Sequence, residues 1–228
     1  MYCALTPRTV ARSYYSKSNH TRTLAESVSA GATCASAGAV VRTKTADEAT
    51  FKDDVLWADA VIVGTPVYNG NVAGAMKLWL ETWDYVGPKE VVGLEDKIGS
   101  VFATGGHIFG GIESTLKAVA AQFHIFGMRV MTAEADYQPK FPFGVGAPTG
   151  DPPFNNTDPG PGAVDAIFLD AGKALGCRIA GKAAQLKQER AYARAGRTMA
   201  EVASGGDTIT AQIQALEAKL TQLRAQQR

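Results

Sequence analysis

The stretch "ADAVIVGTPVYNGNVAGAMKLWLE" (58–81) decides the fold. Its apolar residues run without alternation into Gly64, Thr65 and Pro66, as expected of a strand over 58–66 covered on both faces. The "NGN" at 69–71 supplies residues that tolerate positive φ, so a tight turn is expected there. Val72, Met76, Trp79, Leu80 and Trp83 then recur at helical spacing, predicting a helix over 71–83. A doubly covered strand followed by a helix is half of a parallel-sheet unit.

The same alternation extends in both directions. "TVARSYY" (9–15) reads as a weak first strand, because Arg12 and Ser13 interrupt what should be a buried run. Helical spacing follows through Leu24, Val28 and Ala32, and "GAVVRTK" (38–44) reads as the second strand. Downstream, "KIGSVFAT" (97–104) is a fourth strand, "IESTLKAVAAQFHIFG" (112–127) a helix stopped by glycine, and "MRVMT" (128–132) a fifth strand. Five strands separated by helices predict a doubly wound α/β domain with a parallel sheet. Residues 133–163 hold most of the ten prolines, so no regular element is expected there. A helix resumes near Ala163 and runs towards 186. The expected division is therefore an α/β domain over 1–186 and a helical extension over 187–228. Within that extension Ile209, Ile213, Leu216, Leu220 and Leu223 alternate four and three residues apart, the spacing of a short coiled coil (209–223).

Composition narrows the function. The chain has 228 residues, 46% hydrophobic and 20% charged, with a net charge of +1, which leaves no electrostatic footprint for nucleic acid. Three widely spaced cysteines (3, 34, 177) suit a reducing compartment, and the three histidines (20, 107, 124) lack metal-ligand spacing. No apolar run reaches the roughly 20 residues of a membrane span. The first residues are basic and lack an apolar stretch, which argues against secretion; the expected location is the cytoplasm.

In an open α/β sheet, ligands bind beyond the carboxyl ends of the strands. The loops there are "SKSNHT" (16–21), "GTPVYNGNVAG" (64–74) and "TGGHIFGG" (104–111). The first opens a helix, whose free N–H groups favour an anion, and no carboxylate occurs before Glu26. An ordinary N-cap with surplus serines would also explain it. Trp57, Trp79 and Phe123 are expected in the core, Trp83 either in the core or at the crevice, Cys34 and His124 in structural roles, and 182–201 as a solvated helix face.

Taken together, these segments resemble the flavodoxin-like NAD(P)H:quinone oxidoreductases, the FMN-binding group similar to tryptophan-repressor-binding protein. The resemblance covers roughly 9–185 and rests on the Gly-Thr-Pro turn and Asn-Gly of 64–70, on "VFATGGHIFGGIESTL" (101–116), on "FGMRV" (126–130) and on "FPFGVGAP" (141–148). It implies a five-stranded sheet of order 2-1-3-4-5 carrying FMN, with NADH or NADPH as donor and a quinone as acceptor. Ser16, Lys17, Ser18, Asn19, His20 and Thr21 would hold the phosphate. Pro66, Val67, Tyr68, Asn69 and Gly70 would line one side of the isoalloxazine, and Thr104, Gly105, Gly106 and Gly111 the other. No catalytic side chain is implied, because the flavin is the reagent. The resemblance further implies a homodimer or tetramer. Tyr68 and Phe126 stand where the family has polar residues, which implies a preference for apolar quinones. The alternative is a flavodoxin-like binding or assembly component, its flavin structural or vestigial, docked to a coiled-coil partner through 209–223.

Overall fold

The computed structural model describes residues 8–34, 39–85, 94–132, 143–150 and 162–193. The chain divides into two compact units, Met1–Leu186 and Lys187–Arg228. In the second unit residues 187–193 are helical, and the coiled coil expected over 209–223 lies outside the described residues.

The first unit is built on strands β1 (Arg8–Tyr14), β2 (Ala39–Thr45), β3 (Ala60–Tyr68), β4 (Asn71–Val72), β5 (Ile98–Gly105), β6 (Arg129–Val130) and β7 (Val145–Pro148). Helices α1 (His20–Ala32), α2 (Gly74–Glu81), α3 (Ile112–Ile125) and α4 (166–186) cover it. The main sheet is parallel and runs β2-β1-β3-β5-β6, with β7 also pairing to β5.

Alternate residues of the central strands feed two cores. Ala11, Val61, Val63, Val101 and Ala103 pack with Met76 and Trp79 of α2 and Leu116, Val119 and Phe123 of α3. Val10, Ala60, Ile62, Ile98 and Phe102 pack with Leu24 and Val28 of α1 and Phe168, Leu175 and Ile179 of α4. This two-sided burial explains why β3 and β5 read as unbroken apolar runs. It also explains why β1 forms despite Arg12 and Ser13: parallel ladders on both edges hold its backbone, and both side chains are buried.

Several expectations change. The helix foreseen over 71–83 starts at Gly74, because Asn69 and Gly70 (φ 50° and 77°) turn the chain into a hairpin that pairs Tyr68 with Asn71. That pairing extends β3 beyond Pro66 to Tyr68. The fifth strand position is shared: β6 pairs with the start of β5, and β7, inside the segment expected to be irregular, pairs with its end. Every residue of β7 is buried, so sheet pairing and packing override the poor strand propensity of "VGAP".

A single wide helical turn, Phe51–Val55, precedes β3, closed by an i+5 hydrogen bond from Leu56 N–H to the Phe51 carbonyl. Its Asp54 is buried and bonded by Lys44 at 2.9 Å. Trp57, expected in the core, is half-buried, with the guanidinium of Arg42 3.9 Å from its ring centroid. Trp83 belongs to the core: it is fully buried, with Phe51, Trp79, Phe123 and Phe126 around it. Cys34 is half-buried, while His124 is exposed near the end of α3 rather than packed.

Candidate functional site

The carboxyl ends of β1, β3 and β5 lead into the three loops singled out above, and the structure ties these loops together at named atoms. Thr21 and Thr104 are both buried, and their hydroxyls lie 2.7 Å apart, joining the first loop to the third. Gly111 and Gly70 join the third to the second. A Cβ on Gly111 would stand 2.6 Å from the Gly70 carbonyl oxygen, so the two backbones approach as no other residue would permit. The Ser114 hydroxyl, one turn into α3, shares its proton between the Gly111 carbonyl at 2.9 Å and the Gly70 carbonyl at 3.2 Å.

The first loop presents the start of α1. Asn19, at the N-cap, takes left-handed geometry (φ 66°) and makes no side-chain cap. Ser16 Oγ accepts from the Arg22 N–H at 3.3 Å, while the Ser18 hydroxyl turns to His20 Nδ1 at 3.0 Å. The ordinary capping role therefore falls to Ser16, and Lys17, Ser18 and Asn19 are exposed. A helix start leaves N–H groups without intrahelical acceptors, and its dipole adds partial positive charge. Burial holds the His20 imidazole below its ordinary pKa. Arg22 is paired with Glu26 at 3.1 Å, the first carboxylate of the chain, on the exposed side of α1.

The second and third loops face each other with little side-chain bulk between them. Tyr68 and Asn69 are exposed, and Tyr15 meets Tyr68 edge-on, with centroids 6.4 Å apart. Burial, and then the neighbouring Tyr15, raise the Tyr68 pKa. Gly106 is exposed and a Cβ there would meet nothing within 4 Å, so bare backbone is presented to open space. Gly105 is buried against Ile112 and Val67. α3 also begins at an N-cap in left-handed geometry, Gly111 (φ 102°), without a side-chain cap. The starts of α1 and α3 thus both lie among these loops.

Not every expected residue reaches it with a side chain. Pro66 is buried within β3 opposite Thr104, and Val67 packs partly on the core. The Thr65 hydroxyl, which receives the Ala73 N–H at 3.1 Å, holds the turn. Ile125 and Phe126 follow α3 back to the amino end of the sheet, away from all three loops, and Phe126 is in the core. The part of the apolar-pocket expectation that rested on Phe126 is therefore lost. The sequence reading also missed a fourth segment. Thr149 N–H donates to the Gly105 carbonyl at 2.8 Å, a Cβ on Gly150 would strike the Gly106 carbonyl, and Gly162 lies against Asn19. "FPFGVGAP" marked this region, but local spacing did not reveal that it returns to the crevice.

Residues 22–136 match the family model described as NADPH-dependent FMN reductase. That span includes the second and third loops and begins just after the first. The chain is 34% identical to a protein named flavodoxin from Aquifex aeolicus, over 59% of this chain and 70% of the relative. It is 33% identical to an NAD(P)H dehydrogenase (quinone) from Paracoccus denitrificans, over 52% of this chain and 64% of the relative. Of two further relatives, iron-sulfur flavoproteins from Methanocaldococcus jannaschii and Methanosarcina thermophila, it spans only 34% and 38% of the length. The crystal structure of a flavodoxin, WrbA-like protein from Agrobacterium tumefaciens superposes with a TM-score of 0.58 at 19% identity, covering 78% of this chain and 98% of that one. The fold is flavodoxin-like.

Proposed function

The chain belongs to the NADPH-dependent FMN reductase family, and from that premise we propose that it is a flavin-dependent oxidoreductase that takes electrons from NADH or NADPH and reduces quinones two electrons at a time. The observation that carries the reading is the meeting of three loops at the start of α1, where Asn19 makes no side-chain cap, held by the buried Thr21–Thr104 pair.

The residues present fit FMN. In this reading Ser16, Lys17, Ser18, Asn19, His20 and Thr21 receive the phosphate, where α1 contributes N–H donors and the chain carries no carboxylate before Glu26. Tyr68, Asn69 and Gly70 on one side and Thr104, Gly105, Gly106 and Gly111 on the other accommodate the ring, with Pro66 and Val67 contributing chiefly backbone. When bound, FMN supplies the hydride-accepting and hydride-donating chemistry. The chain's own residues position it: Thr104 fixes the phosphate loop against β5, and the Gly70–Gly111 contact fixes the width of the crevice. The exposed edge at Tyr68 is where a nicotinamide and then a quinone would enter in turn. Nothing in this scheme needs a nucleophile or a metal. A homodimer or tetramer acting in the cytoplasm fits the same reading.

Purified protein should be yellow, with flavin absorbance bands, and should oxidise NADH or NADPH in the presence of a benzoquinone. Colourless protein that takes up no added FMN would remove the basis of this assignment. A second reading follows from the Aquifex aeolicus relative: FMN held as an electron carrier or structural group without nicotinamide turnover. Bound flavin that NAD(P)H fails to bleach would favour it.

A further inference from the structure

Arg12 is the residue that the sheet accommodates least easily. It lies in β1 between Thr43 of β2 and Ile62 of β3, on the face covered by α1, and is 4% exposed. Its Nε and Nη1 are buried and have no hydrogen-bond partner among the described residues. Burying a guanidinium with N–H groups unpaired is costly, and such groups persist where something compensates them.

The direction of the side chain indicates what does so. The guanidinium carbon stands 5.4 Å from the ring centroid of Tyr14, two residues further along β1. Arg12 therefore leans along the strand towards its carboxyl end, where Tyr14 is the last residue before the first loop. Desolvation lowers its pKa to about 10, against weaker opposing effects of Tyr14 and Glu26. It stays charged at neutral pH. Glu26, the carboxylate it senses, is largely exposed and already holds Arg22 at 3.1 Å. Lys17, His20 and the start of α1 add no negative charge.

We propose that Arg12 is an electrostatic anchor for a phosphate-bearing ligand: a buried cation behind the first loop whose missing counter-charge is the ligand's phosphate dianion. The inference rests on the FMN reading above and deepens it, because it assigns binding strength to a residue that need not touch the ligand. A charge buried at the base of the loop is screened less than one on the surface, so it acts over a longer range than Lys17. The neutral isoalloxazine and ribityl portions do not feel it to the same extent.

The test compares FMN with riboflavin, which lacks the phosphate, by fluorescence quenching on apoprotein at fixed ionic strength. The proteins are wild type, Arg12→Met and Arg12→Lys. R12M is expected to weaken FMN binding about tenfold while leaving riboflavin affinity unchanged, and R12K to restore most of the FMN preference. Thermal stability of the R12M apoprotein should equal or exceed that of wild type, since an uncompensated charge has been removed. Equal losses for both ligands would mean a packing role and overturn the inference. An FMN preference that survives in R12M would overturn it while leaving the FMN reading intact. Wild-type protein that binds neither ligand, or both equally, would overturn the phosphate-loop reading itself, and the inference with it.

Discussion

Thr21 and Thr104 make the most specific connection in the crevice, because one hydroxyl donates to the other between two buried side chains. Removing one strands the other, which costs about 1–3 kcal/mol. Thr21→Val and Thr104→Val should each lower stability by that amount, whereas the double variant should lose less than the sum. A double-mutant cycle in urea measures the coupling, and strict additivity would show that the two hydroxyls do not depend on one another. Ser18 tests the opposite property of the same loop. It is exposed and its hydroxyl reaches no further than His20. Ser18→Glu should therefore leave the circular dichroism spectrum unchanged while abolishing FMN retention, because it sets a carboxylate against the phosphate. Wild-type flavin content in this variant would show that the phosphate binds elsewhere.

The position of α1 depends on α4. Gly31 of α1 faces the Lys173 carbonyl, and Gly176 of α4 faces the carbonyl of Val28, so closely that a Cβ at either position would overlap backbone. Backbone cannot rotate away as a flexible side chain can, so the helices must separate. Gly176→Ala should cost about 1–3 kcal/mol, the usual range for overpacking. Because α1 carries the proposed phosphate loop at its start, FMN affinity should fall with it. Chemical denaturation with and without FMN measures both effects. Unchanged midpoints would mean that the helix pair yields without strain. The same dependence appears in β7, whose four residues hold their place by pairing with β5 and bring Thr149 and Gly150 to the crevice.

The two units of the chain, Met1–Leu186 and Lys187–Arg228, carry different expectations. The elements that build the crevice all lie in the first. In the second, the five aliphatic residues from Ile209 to Leu223 have coiled-coil spacing, and a helix of two heptads would not bury such a stripe by itself. Truncation after Ser204 is expected to leave flavin content and reductase activity near wild type while lowering the assembly mass or releasing a bound coiled-coil protein. Light scattering and co-purification measure this. Unchanged mass and partners would remove the assembly role, and loss of flavin would show that the tail supports the site.

The run from Ala60 to Val63, the helical spacings that locate α1 and α3, and the glycine-rich turns were legible because they express local rules: burial on both faces, a 3.6-residue period, and positive φ at Asn69 and Gly70. The three loops could be named for the same reason, since a chain that alternates strand and helix places its βα turns at one end of the sheet. Local rules do not record what each turn meets there. That Thr21 bonds Thr104, that Gly111 admits Gly70, and that Phe126 and Trp83 sit in the core all depend on segments far apart in the chain. Arg12 shows the difference most sharply. In sequence it is a flaw in a weak strand. Once β2, β3 and α1 close around it, it is a buried cation leaning towards the carboxyl end of β1, because burial arises from the packed surroundings and not from the residue's neighbours in the chain.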